Sequence, residues 1–357
     1  MMEYRLLGNT DIKVSALCLG TMTYGDQNTE TEAHEQLDFA IGQGINFIDT
    51  AEMYPVPPKA ETYTRTETIV GNWLKRQQRD KIILGGKVAG PRRGMHWIRG
   101  GPPSLDRRNI REAIEGSLKR LQTDYIDIYQ LHWPERNVPM FGQYLFDPAN
   151  EFESGVFGQG NEKEWVPIQT QLEVLAELAR EGKIRYIGVS NEHPWGVMEF
   201  LRISRELGLP RIASVQNCYN LINRGMEFGM SEIFYRENVS LLAYSPLAFG
   251  HLSGKYIDDP FTKGRVTQFL GYAQRYKKPN VFPATASYTN LARSHGWTPA
   301  EMALSFVYHR WFVTSTIIGA TNMNQLKENI GAWEKRLPEE MLSEIEDIHL
   351  RMMNPAP

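Results

Sequence analysis

Residues 125–132 read YIDIYQLH, a near-continuous apolar run that ends on a histidine and is followed by Trp133 and Pro134. Strands buried on both faces of a parallel sheet have this character. Seven other segments resemble it: ALCLGTM (16–22), NFIDT (46–50), KIILGGKV (81–88), RYIGVS (185–190), IASVQN (212–217), SLLAYSP (240–246) and STIIGA (315–320). Helical patterns alternate with them at 31–44, 66–77, 106–122, 167–183, 193–208, 225–238, 283–296 and 322–333, with apolar residues at helical spacing and glycine at several C-terminal ends. Asp106 is placed to cap the third and Gly44 to close the first. Eight strand–helix units in a row predict a (β/α)8 TIM barrel. A doubly wound sheet is disfavoured, because no G-x-G-x-x-G follows the first strand and no second-domain boundary is visible. The opening YRLLGNTDIKVS predicts a β-hairpin, turning at Gly8–Asp11, that caps the N-terminal end of the barrel.

The 357 residues, 41% hydrophobic and 23% charged, are read as one barrel domain over 1–357. A net charge of −3 gives no basic footprint for nucleic acid. No apolar run approaches the ~20 residues that span a bilayer. The first residues lack a signal-peptide core, so the expected compartment is the cytoplasm. Cys18 and Cys218 lie in apolar segments and are expected to be buried free thiols rather than a disulfide or metal pair. No heptad seam or edge strand indicates an oligomeric state.

Two connections, 133–166 and 247–282, are too long for plain scaffolding, and both follow strand C-terminal ends, the catalytic face of a barrel. The first carries Phe141, Tyr144, Phe146, Phe152, Phe157 and Trp165, which suggests a lid or pocket wall; a packed surface loop is the equal alternative.

The same face collects four reactive side chains. The second strand ends at Asp49, with Tyr54 just beyond; the third ends near Lys87 and the fourth at His132. A free tyrosine, with a pKa near ~10, is a poor acid at neutral pH. A neighbouring ammonium stabilises its phenolate and eases release of the proton. Lys87 is the expected cation, Asp49 its counter-ion, and His132 a group that orients a carbonyl or shares the proton relay. Each alone is more often a cap, a packing residue or a solvated charge; together on successive strand ends they read as a general acid for an oxygen that becomes an alkoxide. The loops after strands seven and eight are where barrels commonly hold phosphate. The first offers Ser245, Pro246, Leu247, Ala248, Gly250, Ser253 and Lys255. The second offers Gly319 and Thr321, then Gln325, Glu328 and Asn329 on one helical face.

Taken in order, GINFIDTAEMY, the KV of strand three, DYIDIYQLHWP, GKIRYIGVSN, LLAYSPLAFGHLSGKY and IIGATNMNQLKENI resemble the signature segments of the aldo-keto reductases. AEMYPVPP, the long loop after LHWP and the ending NPAP are similar to the bacterial Tas-type branch of that family. The resemblance implies a tetrad of Asp49, Tyr54, Lys87 and His132, and NADPH-dependent reduction of a small carbonyl compound. It further implies that Ser190, Asn191 and Gln216 hold the nicotinamide carboxamide and that Tyr244 stacks on the ring. Thr21, Met22, Gln27 and Arg265 become further NADP(H) contacts. Three features depart from the family pattern. Thr321 and Gln325 replace basic residues that commonly grip the 2′-phosphate. The loop PVPPKAETYTRTE after Tyr54 is longer and proline-stiffened. Gly86 precedes Lys87 where serine or threonine is common. An NADP(H)-sensing barrel like the potassium-channel β-subunits is the alternative; His132, where those carry asparagine, favours turnover.

Overall fold

The structure, a computed structural model, describes residues 1–91, 93–148, 165–271 and 274–357. Strands β1 (Tyr4–Leu6) and β2 (Lys13–Ser15) form the antiparallel hairpin. Eight parallel strands follow: β3 (Leu17–Gly20), β4 (Phe47–Asp49), β5 (Ile83–Val88), β6 (Ile126–Leu131), β7 (Ile184–Ser190), β8 (Ile212–Cys218), β9 (Ser240–Tyr244) and β10 (Val313–Ile318). They close in chain order, with β10 beside β3. Helices α1 (Glu30–Gly42), α2 (Arg65–Leu74), α3 (Arg107–Leu121), α4 (Ile168–Arg180), α5 (Pro194–Leu207), α6 (Met230–Glu237), α7 (Val281–Ser294), α8 (Pro299–Tyr308), α9 (Met323–Gly331) and α10 (Glu339–Arg351) surround them. The expected (β/α)8 barrel with its N-terminal hairpin is thus the observed fold. No helix among the described residues is long and apolar enough to cross a membrane.

Every residue of β5, β6 and β8 is buried, which explains their unbroken apolar character. One face of each strand meets the helices. The other fills the barrel in layers. At the floor, Cys18, Phe47, Ile83, Ile128, Ala213, Leu242 and Ile317 pack with Leu7, Ile12 and Val14 of the hairpin. Because successive side chains alternate, a step of two residues climbs one layer. Phe47 gives way to Asp49, Ile83 to Gly85 and Lys87, and Ile128 to Gln130. The interior therefore passes from hydrocarbon at the floor to polar groups at the rim. Gly8 seats the hairpin. It adopts φ +52°, its N–H donates to Ser240 Oγ, and a Cβ there would lie 2.6 Å from the Ala213 carbonyl oxygen.

Asp106 caps α3 as expected, and α1 has a capping box of its own. Asp106 accepts from Asn109 N at α3, and Thr29 with Glu32 forms a capping box at α1. Gly44, one residue past the α1 cap, has φ +86°. Three expectations need correction. Helix 225–238 begins only at Met230, because Gly229 at φ +82° breaks it from a 3-10 turn at Gly225–Glu227. The connection at 247–282 is not structureless: it contains turns of helix at Ala248–Ser253, Lys255–Asp258, Arg265–Gln268 and Gln274–Lys277 before α7, the helix expected at 283–296, begins at Val281. Helices α8 and α10 had no counterpart in the reading. Both cysteines are buried and free.

Candidate active site

The rim brings the four reactive side chains into contact. Asp49 is the last residue of β4, Lys87 the penultimate residue of β5, and His132 follows β6 directly. Lys87 Nζ donates to Asp49 Oδ2 at 2.6 Å, to the Thr50 carbonyl at 2.8 Å and to the Tyr54 hydroxyl at 3.3 Å. Its ammonium lies 4.8 Å from the centre of the Tyr54 ring. The Tyr54 and His132 rings meet edge to face, 5.7 Å between centroids. Lys87 is fully buried, Asp49 2% exposed, and Tyr54 and His132 8% each. Burial, then the positive charges of Lys87 and Arg93, push the His132 pKa well below the usual imidazole range. The ring is therefore neutral at pH 7, with one donor and one acceptor nitrogen.

Two side-chain amides fix Asp49. Its Oδ1 accepts from Gln216 Nε2 at 2.8 Å and from Gln130 Nε2 at 3.3 Å, while Gln216 also donates to Gln130 Oε1 at 3.2 Å. Thr21 Oγ1 donates to the Asp49 carbonyl at 2.9 Å. The Met22 carbonyl accepts from Val56 N at 2.9 Å, and Gln27 Nε2 reaches the Val56 carbonyl at 3.4 Å. These three residues tie the β3 exit to the Tyr54 loop. Asn191, at φ +54°, donates to the His132 carbonyl at 2.8 Å and to Ser190 Oγ at 3.1 Å, and accepts from the Tyr244 hydroxyl at 2.7 Å. Ser190 Oγ donates to the Gln216 carbonyl at 2.8 Å. Ser190, Asn191, Gln216 and Tyr244 thus form one linked group beside the tetrad.

Past β9 the backbone takes positive φ at Ser245, Ala248, Phe249 and Gly250. Such turns direct N–H groups into concavities that suit anions. Lys255 lies under this loop, close to Arg265, and burial together with the Arg265 charge lowers its pKa. No carboxylate among the described residues pairs with Lys255. A Cβ at Gly250 would sit 3.0 Å from Lys255 Cε, and one at Gly264 2.6 Å from Lys255 Nζ, so glycines keep the ammonium clear. Ala248 N and Gly250 N donate within the loop, to the Ser245 and Leu247 carbonyls at 2.9 and 2.8 Å, so the two adjacent cations are what fits a phosphate-bearing cofactor here. Across the cleft, Asn329 Nδ2 donates to the Gly319 carbonyl at 3.1 Å, and Gln325 Oε1 accepts from Thr321 N at 2.9 Å and from its hydroxyl at 3.1 Å. Glu328 accepts from Thr298 Oγ1 at 3.0 Å.

Residues 16–349 match the Aldo/keto reductase family. The chain belongs to that family. This reductase is 47% identical to Protein tas of Escherichia coli (strain K12) over 357 residues, the whole of both chains. It is 40% identical over 261 residues to an Aldo-keto reductase of Babesia bovis, covering 70% of this chain and 88% of that one. Uncharacterized oxidoreductase YrpG of Bacillus subtilis (strain 168) is 31% identical over 353 residues, 97% and 96% of the two chains. Family membership makes the protein an oxidoreductase.

In this aldo-keto reductase Tyr54 packs into a buried apolar wall with Ala51, Met53, Val56, Ala89, Met95, Ile98 and Trp133, flanked by Met22, Tyr63, Trp97 and Met140. Phe141 meets Trp133 edge-on at 6.5 Å, but Tyr144 and Phe146 are exposed, Trp165 packs on the outer core, and Phe152 and Phe157 lie outside the described residues. A Cβ at Gly86 would lie 2.9 Å from Ile126 Cδ1, the far end of a side chain that can shift, so the structure does not explain the glycine. The sequence reading missed Gln130 and the fully buried Glu52. Gln130 had a usable signal, being a polar residue two before His132 in an otherwise apolar strand. Glu52 had none, because its partner Arg99 lies 47 residues away.

Proposed function

We propose that the protein reduces aldehydes or ketones to alcohols with NADPH, Tyr54 serving as the general acid. The carrying observation is the buried Lys87 ammonium, which touches Asp49 Oδ2 at 2.6 Å and the Tyr54 oxygen at 3.3 Å. Lys87 donates to the phenol oxygen, so the phenol's own hydrogen is directed away from the ammonium and towards a substrate oxygen. The same ammonium balances the phenolate that remains after transfer. Asp49 keeps that charge fixed, and Gln130 and Gln216 keep Asp49 fixed. His132, neutral in its buried setting, orients the carbonyl by hydrogen bonding and leaves proton donation to Tyr54.

NADPH, held by the residues named next, would supply the hydride for the carbonyl carbon. Ser190, Asn191 and Gln216 are the proposed carboxamide partners, with Tyr244 against the ring. Ser245 through Ala248, Gly250, Ser253, Lys255 and Arg265 are proposed to hold the phosphates. Gly319, Thr321, Gln325, Glu328 and Asn329 are proposed to line the adenosine end. The apolar wall supports small apolar or aromatic carbonyl compounds as substrates.

Tyr54→Phe tests the reading. Tryptophan fluorescence quenching by NADPH is expected to remain, while reduction of a reactive aldehyde, followed as loss of NADPH absorbance, falls at least ~10²-fold. Wild-type aldehyde turnover in this variant would remove the acid assignment, and no quenching in either protein would remove the cofactor.

A further inference from the structure

Glu52 stands between Asp49 and Tyr54 in the loop after β4 and is fully buried. Its carboxylate joins three segments. Oε1 accepts from Ala89 N at 2.7 Å, the second residue after Lys87, and from Arg99 Nη1. Oε2 accepts from the Tyr63 hydroxyl at 3.4 Å, further along the Tyr54 loop. The Glu52 N–H donates to the Lys87 carbonyl at 3.2 Å. Arg99 is itself held, at φ +52°, by Asn109 Oδ1 at 3.2 and 3.1 Å, in the first turn of α3 next to the Asp106 cap. The loop that carries the phenol is therefore fastened, through one carboxylate, to the strand that carries the ammonium and to the 3-10 turn (Ile98–Gly100) whose Ile98 packs in the apolar wall with Tyr54.

The pair is costly to bury. Two ions removed from water lose several kcal/mol each in solvation, and hydrophobic replacements of the same volume often stabilise a protein as well or better. Plain stability does not account for an ion pair at this place. Its geometry accounts for it: Tyr54 sits two residues from Glu52, and the 3.3 Å separation of the phenol from the Lys87 ammonium must be held to within about half an ångström for the charge to act on it.

We infer that Glu52 is a positioning residue for the acid: with Arg99 it sets the distance between Tyr54 and Lys87. The inference rests on the reading of Tyr54 as the general acid.

The test uses two substrates in the full-length protein. Reduction of an aldehyde needs a proton at the transition state. Reduction of an electron-poor quinone, whose product oxygen is a weak base, needs it far less. Glu52→Gln keeps an acceptor for Ala89 N and removes the charge that holds Arg99. It is expected to lower aldehyde kcat at least tenfold, with the aldehyde KM, quinone kcat and NADPH quenching curve all within twofold of wild type. The double variant Glu52→Gln with Arg99→Gln, which strands no buried charge, is expected to give the same split and serves if the single variant does not fold. Aldehyde kcat within twofold of wild type overturns the inference. So does a parallel fall for aldehyde and quinone, which a merely structural role would produce. Tyr54→Phe run alongside separates the two failures. If that variant keeps aldehyde turnover, the acid assignment itself is wrong; if it loses turnover and Glu52→Gln does not, only the positioning role is wrong.

Discussion

Replacing Lys87 by methionine removes the ammonium while roughly keeping side-chain volume. At 3.3 Å and an effective dielectric of about 20, a unit charge on Nζ stabilises a phenolate at the Tyr54 oxygen by about 5 kcal/mol. Asp49, paired to the same nitrogen at 2.6 Å, cancels part of this, and the proton is only part-way across at the transition state. About half, ~2–3 kcal/mol, is then the expected rise in barrel-mouth activation energy, or roughly a hundredfold in kcat. The single substitution also leaves Asp49 buried without its counter-ion, at a cost of about 3–5 kcal/mol in stability. Lys87→Met combined with Asp49→Asn avoids that, because an asparagine oxygen can still accept from Gln130 and Gln216. The assay is NADPH absorbance loss with a saturating aldehyde, accompanied by NADPH fluorescence titration and a thermal melt. A folded, NADPH-binding double variant whose kcat stays within threefold of wild type would refute the claim that the ammonium serves the acid.

Lys255→Ala is expected to weaken NADPH binding by ~10–100-fold, the loss of one charged hydrogen bond to phosphate, with little change in melting temperature; an unchanged fluorescence titration would refute the phosphate role. Acid sensitivity follows from His132, whose folded pKa lies well below the ~6.5 of the unfolded chain. Below that pH the unfolded chain takes up a proton that the native site refuses, so stability falls on acidification by up to ~1.4 kcal/mol per pH unit and is flat above it. His251, held down to about 4 by burial and by Lys255, and His349 act in the same sense, so the readout is a difference. His132→Gln is expected to give a shallower decline of melting temperature between pH 6.5 and 5 than wild type, and equal slopes would refute the assignment. Gly71→Ala, on α2 where it crosses α3, would drive a Cβ into the Arg120 carbonyl and within 2.8 Å of Leu121 Cα. Its destabilisation in a urea titration is expected near the upper end of the ~1–3 kcal/mol typical of overpacking, and a neutral result would refute the close crossing.

The barrel was legible because parallel strands buried on both sides leave an unmistakable apolar signature, and because eight of them alternated with amphipathic helices. The tetrad was legible because each member sits at or next to a strand end, where the barrel must place it on one face. Helix α8 escaped because all its residues except Glu301 are buried; without a polar face, PAEMALSFVY shows no 3.6-residue period. Its capping box, Thr298 with Glu301, was the available cue. Helix α6 was drawn too long because glycine at positive φ interrupts a pattern that periodicity alone carries through. Glu52–Arg99 could not be anticipated, since nothing in a linear reading says which buried arginine will meet which buried glutamate.

The sealed hydrocarbon floor makes the two ends of this cylinder genetically separable. Substitutions among Leu7, Ile12, Val14 and their partners act on how readily the chain unfolds and lie layers away from Asp49 and Lys87, whereas changes at the rim act on the site and, where they strand a buried charge, on unfolding as well. A saturation scan scored separately for abundance and for turnover would therefore find floor positions that move abundance without touching the site and rim positions that move both.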